Sequence, residues 1–316
     1  ELRRVWLSRS TYQGPFGHGW HSRYEASLQI EQGKVLHRTW DARSHSFQEL
    51  KERGQAHFDP VLRHAWQRSA RGYQKRTPDG RVERFETKGP GPNQLLLSAI
   101  EDRSGYRLQL RHDAQGRLQD VVDGAGRTFT FTHDSAGRVI KLSGPHPERS
   151  GARVVLAQYG YDARGDLAQV TDALGQVTRY RYVRHLLVQQ TDRSGASFYF
   201  KYTGSDARSR CSHTWADGGL YERKLTYDDA RHITTVEDGL GHKTQYQHER
   251  DLLVRTVDAN GGSRTLDYDR QDRKRAQTDA LGRVTRYEHD ARGNLTAVTR
   301  PDGSRITASY DQADRM

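Results

Sequence analysis

The chain has 316 residues, 33% of them hydrophobic and 29% charged, with a formal net charge of +11. So polar a composition excludes one compact globule with a rich apolar core. Its 16 Tyr, 8 Phe and 5 Trp exclude a disordered tail.

An extended, thin-walled β structure satisfies both limits. The positive charge is not laid out as a nucleic-acid stripe. Residues 1–95 hold 17 Lys+Arg against 10 Asp+Glu, and the remainder 34 against 30 with the signs interspersed. The single Cys211 excludes an internal disulfide framework and a cysteine-rich zinc site. No apolar run approaches the ~20 residues of a membrane span, and no signal-peptide pattern opens the chain. Glu1 at one end and Arg315-Met316 at the other read as cuts in something longer.

In chain order, residues 1–95 come first and have their own texture. They hold Trp6, Trp20, Trp40 and Trp66 and no Asp-x-x-Gly. Glu25–Ile30 and Arg81–Glu86 read as short strands. The run Lys88-Gly89-Pro90-Gly91-Pro92 marks the boundary of a first segment, 1–95, from a second, 96–316.

The second segment is periodic, and such a period decides the fold. Asp-x-x-Gly occurs eleven times. Its aspartates are Asp102, Asp113, Asp123, Asp134, Asp162, Asp172, Asp192, Asp238, Asp258, Asp279 and Asp290. The matching glycines are Gly105, Gly116, Gly126, Gly137, Gly165, Gly175, Gly195, Gly241, Gly261, Gly282 and Gly293. The spacing makes two interleaved ladders, each with a period near 21 residues. In one of them an aromatic residue precedes the acidic position: His112, His133, Tyr161, Tyr182, Tyr202, Tyr227, His248, Tyr268, His289 and Tyr310. Val183 and Thr203 replace the acid at two rungs.

Each half-period predicts one strand and one turn. The aspartate accepts backbone hydrogen bonds at the start of a type I turn, and the glycine takes the left-handed conformation. In Gln176–Tyr182, Thr178, Tyr180 and Tyr182 share one face and Val177, Arg179 and Arg181 the other. The fold expected is all-β: a long ribbon of short antiparallel strands and hairpins that coils with the strand twist.

At these residues a family resemblance is specific. Tyr161-Asp162-Ala163-Arg164-Gly165-Asp166-Leu167, Thr171–Tyr180 and Thr278–Tyr287 resemble the Rhs/YD repeats of bacterial Rhs polymorphic toxins, insecticidal toxin complexes and teneurins. Gly14-Pro15-Phe16-Gly17-His18-Gly19-Trp20 resembles the segment that precedes the repeats, with Phe16 where leucine is usual. The resemblance implies part of a hollow shell, the N-terminal part of the repeat core, around a C-terminal toxin domain absent from this chain. It implies no enzyme, no cofactor and no metal. The implied partners are the remaining repeats and the toxin domain of the same polypeptide, with secretion spike and chaperone proteins and no nucleic acid. The implied location is the bacterial cytoplasm before export, then outside by a type VI route. An incomplete wall of this kind predicts exposed edge strands that associate. The alternative is an adhesive YD-repeat module for glycan or a cell-surface partner, and a third is an enzyme acting on polyanions.

Chemistry-bearing motifs are sparse. His112, His133, His248 and His289 sit where other rungs carry tyrosine, so sheet packing explains them. His18 and His21 flank Trp20 at a metal-like spacing but lack an acidic neighbour in sequence. Each turn offers one aspartate, too few oxygens for calcium. Cys211, Ser212 and His213 in a row suggest a nucleophile with its base, but adjacent residues on a strand point to opposite faces, a poor geometry for that pairing. The self-cleaving Asp-Pro segment of Rhs toxins has no counterpart beyond Asp59-Pro60, which precedes the repeats.

Overall fold

The computed structural model describes residues 2–311 and 316. It is all-β, and the only helical pieces among the described residues are two three-residue turns, Arg23–Glu25 and Asp217–Gly219. Turn signals every ten residues leave no room for a longer helix, as expected. The predicted strand at Glu25–Ile30 starts two residues late, at Ser27–Glu31, because Glu25 closes the first helical turn.

By internal contacts the chain forms two units, residues 1–57 with 65–210 and residues 58–64 with 211–316. In the first, strands Ser27–Glu31, Lys34–Arg38 and Ser44–Gln48 form a meander. From Tyr73–Arg76 to Ser197–Tyr202, each strand then pairs antiparallel with the next. Strand Gln94–Glu101 joins the two parts. One edge pairs with Val82–Lys88, while the other serves Ser27–Glu31 at its start and Arg107–His112 at its end. The Gly/Pro run 88–92 is the loop of the preceding hairpin, and this strand runs across residues 95 and 96. In the second unit, strands from Cys211–Ala216 to Arg305–Thr307 continue the same antiparallel succession.

Apolar side chains concentrate in the first unit. Leu28, Val35, Tyr73, Phe85 and Leu167 are fully buried, and Trp66 packs between Phe47 and Phe85 at ring centroid distances of 4.8 and 5.9 Å. In the second unit the buried apolar side chains among the described residues are Ala216, Leu266 and Ala297. A sheet that buries so little per residue explains how a chain this polar folds.

The two ladders differ in backbone geometry. Hairpins that follow a rung carry a bulge at seven places, skipping one residue of the outgoing strand just opposite His112, His133, Tyr161, Tyr182, His248, Tyr268 and His289. Hairpins of the other ladder run in unbroken register, for example Asp120↔Thr130 to Val122↔Thr128, except where the insertion after Ser143 shifts it between Leu142 and Ser143. The bulge turns the strand locally.

Candidate functional site

At all eleven Asp-x-x-Gly positions the aspartate Oδ1 accepts the amides of the second and fourth residues after it. The glycine closes each turn by donating its amide to the aspartate carbonyl. Gly105, Gly116, Gly126, Gly137, Gly165, Gly175, Gly195, Gly241, Gly261, Gly282 and Gly293 all do so, with φ between +75° and +92°. The same fold occurs where the motif is disguised. Asp269 makes it with Asp272 in the left-handed position, and Thr77 with Gly80. Motif matching misses both because Asp272 breaks the glycine and Thr77 the aspartate.

Where the fourth residue is arginine, its Nε closes the turn on Oδ2: Arg117, Arg127, Arg138, Arg273 and Arg283 at 2.6–2.8 Å. These bonds hold the carboxyls of Asp113, Asp123, Asp134, Asp269 and Asp279 below the usual value of 3.8, although burial opposes them. Asp134→Ala is expected to cost about 1–2 kcal/mol in urea denaturation, because two amides and Arg138 lose their acceptor. Asp134→Asn, which keeps Oδ1, is expected to cost less than half of that. A folded carboxyl below its unfolded value lends stability that is present above 3.8 and lost as pH falls through the folded value.

All ten rung residues are half-buried. The tyrosine hydroxyls reach backward. Tyr161 donates to the Val139 carbonyl at 2.6 Å, Tyr202 to Leu187 at 2.8 Å, Tyr268 to Leu253 at 2.8 Å and Tyr310 to Leu295 at 3.0 Å. Each acceptor is the residue paired with the preceding rung: His133, Tyr182, His248 and His289 respectively. Tyr227 donates likewise to the Cys211 carbonyl at 2.6 Å. Five of the six tyrosine rungs therefore staple back to the preceding hairpin, whereas the Tyr182 hydroxyl accepts from Trp20 Nε1. A histidine ring is too short for this, and burial instead holds His112, His133 and His289 below 6.5 and uncharged. Tyr268→Phe is expected to lose about 1 kcal/mol. Tyr287→Phe, whose hydroxyl has no partner among the described residues, is expected to match the unmodified chain in the same titration.

The motif at residues 14–20 docks on this sheet within the first unit. Val139 N and the Tyr161 hydroxyl both donate to the Pro15 carbonyl, at 2.7 and 3.2 Å. Phe16 meets the edge of Tyr159 at 5.2 Å, Trp20 meets Tyr180 at 5.2 Å, and Trp20 Nε1 donates to the Tyr182 hydroxyl at 2.9 Å. The Arg4 guanidinium lies 5.1–5.4 Å from the rings of Phe16, Trp20 and Tyr159. Gly17, at φ +86°, sits where a Cβ would stand 2.5 Å from the Gly165 carbonyl oxygen. Its glycine is required twice over.

His18 stacks on His185 with ring centroids 4.1 Å apart, and His185 Nδ1 lies 2.9 and 3.0 Å from the two oxygens of Asp166. Asp166 is 0% exposed and replaces the turn-closing arginine. His18 thus gains through the fold the acidic neighbour that its sequence surroundings lack. His21 is buried elsewhere, 2.9 Å from Ser10 Oγ and stacked on Tyr12, with its pKa pushed by burial down to about 4.

In the second unit Asn294, also at a turn's fourth position, is 1% exposed; it donates to Asp290 Oδ2 and accepts from Arg63. Asp59-Pro60 lies in the same unit, with Asp59 Oδ1 accepting the amides of Val61 and Leu62.

Cys211 donates toward the His213 carbonyl at 3.7 Å, and burial pushes its thiol up. His213 Nε2 instead pairs with Glu222 at 2.8 Å. Among the described residues no group of three or more His, Cys, Asp or Glu side chains is arranged to hold a metal ion. No helix among them is long and apolar enough to cross a membrane.

The family described as RHS Repeat matches residues 112–146, 161–197, 268–305 and 290–316, and Domain of unknown function (DUF6531) matches residues 1–47. The chain is 28% identical over 337 residues to Toxin protein Tse5 of Pseudomonas aeruginosa, covering 98% of this chain and 22% of that protein. It is 27% identical to Double-stranded DNA deaminase toxin A of Burkholderia cenocepacia, and 30% identical to Probable deoxyribonuclease RhsB of Dickeya dadantii. Each of those two matches covers 78% of this chain and 17% of the relative. The chain spans about a fifth of the length of the curated relatives it matches. Among solved structures, "Crystal Structure of TcdB2-TccC3" matches at 14% identity and a TM-score of 0.43, over 86% of this chain and 18% of that one.

Proposed function

Because the chain belongs to the Rhs/YD-repeat family, we propose that it is a non-catalytic segment of a toxin's β-shell, enclosing a C-terminal toxin domain of the same polypeptide until delivery to a competitor cell. Residues 1–95 lead into the shell and residues 96–316 are its repeat array. The turn aspartates and glycines shape the wall and the rung tyrosines tie successive hairpins. The remaining repeats and the toxin domain are its partners, with spike and chaperone proteins of a type VI machine acting on the assembled effector. The protein is made in the bacterial cytoplasm and then exported.

One observation carries this reading. Every turn aspartate of the eleven spends its Oδ1 on its own backbone. The recurrent acidic groups therefore build structure and do not converge on a substrate. The names of the relatives, toxins and a probable deoxyribonuclease, are consistent with a cargo carried outside the matched stretch.

The test is limited proteolysis of the complete polypeptide. The domain downstream of the repeats should resist protease until the wall is opened by denaturant, and its activity should emerge only then. A downstream domain cut at the rate of a free linker in the folded protein refutes enclosure. Nuclease or deaminase activity in the isolated 316-residue chain refutes the non-catalytic reading.

A further inference from the structure

We propose that His18, His185 and Asp166 form an acid-operated latch that holds the N-terminal segment on the repeat sheet at neutral pH and releases it on mild acidification. The proposal rests on the geometry of the cluster and is independent of what the shell encloses.

Three observations converge. First, Asp166 departs from the pattern of its ladder. Arg117, Arg138 and Arg273 occupy the equivalent position and neutralise their turn aspartate. Asp166 cannot do so for Asp162, and its buried carboxylate turns to His185. Second, the cluster holds one carboxylate and two stacked imidazoles, so it balances one added proton and not two. A second imidazolium 4.1 Å from the first would be uncompensated in a site whose carboxylate has no solvent contact. Third, His18 belongs to the docked motif itself. Its ring Nδ1 lies 2.9 Å from Gln13 Nε2, and the adjacent Gly17 lies against the Gly165 carbonyl. Repulsion at His18 therefore acts directly on the contact that seats Pro15, Phe16 and Trp20. Protons have a route in, because the His185 side chain is 35% exposed.

The groups that face His18 come from each packed element. They are Gln13 and the Ser10 backbone on its own segment, Asp166 in the turn after Arg153–Tyr161, and His185 at the next hairpin; Asp162 acts on Asp166, and Tyr161 lies beside Gly17. Arg138 stands behind Gly165 and over Tyr161. Burial first, and His185 second, push the His18 pKa below its ordinary 6.5. The docked state therefore holds fewer protons than the undocked state just below 6.5, and docking weakens as pH falls through that window. Burial raises the Asp166 carboxyl, which acts in the opposite sense nearer the carboxylate range.

The experiment is hydrogen exchange of the intact chain from about pH 7.5 to about pH 5, with rates corrected for intrinsic exchange. Protection of the amides of Val139 and Gly19, which bond the Pro15 and Tyr12 carbonyls, should fall by up to about tenfold per pH unit as pH drops below the ordinary histidine value of 6.5. Amides of the hairpin Lys274–Thr278 and Val284–His289 should stay protected. His18→Gln should keep both reporter amides protected across the range, and Asp166→Asn should shift release to higher pH. Protection of Val139 and Gly19 that does not change with pH overturns the proposal. So does an acid transition that persists unchanged in His18→Gln.

Discussion

Trp20→Ala is expected to lower stability by about 3–5 kcal/mol and to detach the N-terminal segment from the sheet. Trp20 is 7% exposed, its ring edge meets Tyr180, and its indole N–H serves the Tyr182 hydroxyl. Truncation opens a cavity the width of an indole. It also removes the donor to a hydroxyl that burial already keeps protonated far above the usual tyrosine value. The Arg4 guanidinium, 5.4 Å from the same ring, loses one of its three aromatic neighbours. Urea denaturation checks the stability. Limited proteolysis near Leu7 to Tyr12 checks the detachment, and a resistant segment in the folded variant would show that Trp20 does not anchor it. Trp20→Phe, which retains most of the packing and loses the N–H, is expected to cost about 1–2 kcal/mol.

Lys75→Ala should be comparably damaging, at about 3 kcal/mol, for an electrostatic reason. Lys75 is 5% exposed, its Nζ lies 2.5 Å from Glu83 Oε2, and the two residues face each other across neighbouring strands. Removing the cation leaves the Glu83 carboxylate, only 14% exposed in its side chain, with Arg81 at 3.9 Å as its nearest remaining cation. An uncompensated buried charge costs more than the pair contributes. The double variant Lys75→Met, Glu83→Gln is therefore expected to lie within about 1 kcal/mol of the unmodified chain. Equal losses in the single and double variants would show that packing against Trp66, 5.8 Å from Nζ, outweighs the charge.

The strand-and-turn layout was legible because it is local. A turn needs its aspartate and glycine within four residues, so Asp172 and Gly175 announce themselves in any context. The same locality hid Asp269, whose turn forms with aspartate in the left-handed position. The rung positions were also legible, as an interval of about 21 residues, but their hydroxyl partners were not. Tyr268 bonds Leu253, an ordinary strand residue chosen only by the bulge beside it. His18 read as a histidine without an acid because Asp166 lies far along the chain, and only stacked hairpins bring the two near. Buried Lys75 and Asn294 likewise carry no mark in sequence.

By itself the sequence determined the class of fold, the positions of the turns and the alternation that gives each strand two faces, because these follow from φ/ψ preferences and hydrogen bonds within a few residues. Tertiary structure alone decided which rung staples to which carbonyl, where the motif at residues 14–20 docks, and that Asp166 faces two imidazoles instead of an arginine. Those choices depend on strand register and on the bulges, which set neighbours across the sheet that no spacing along the chain encodes.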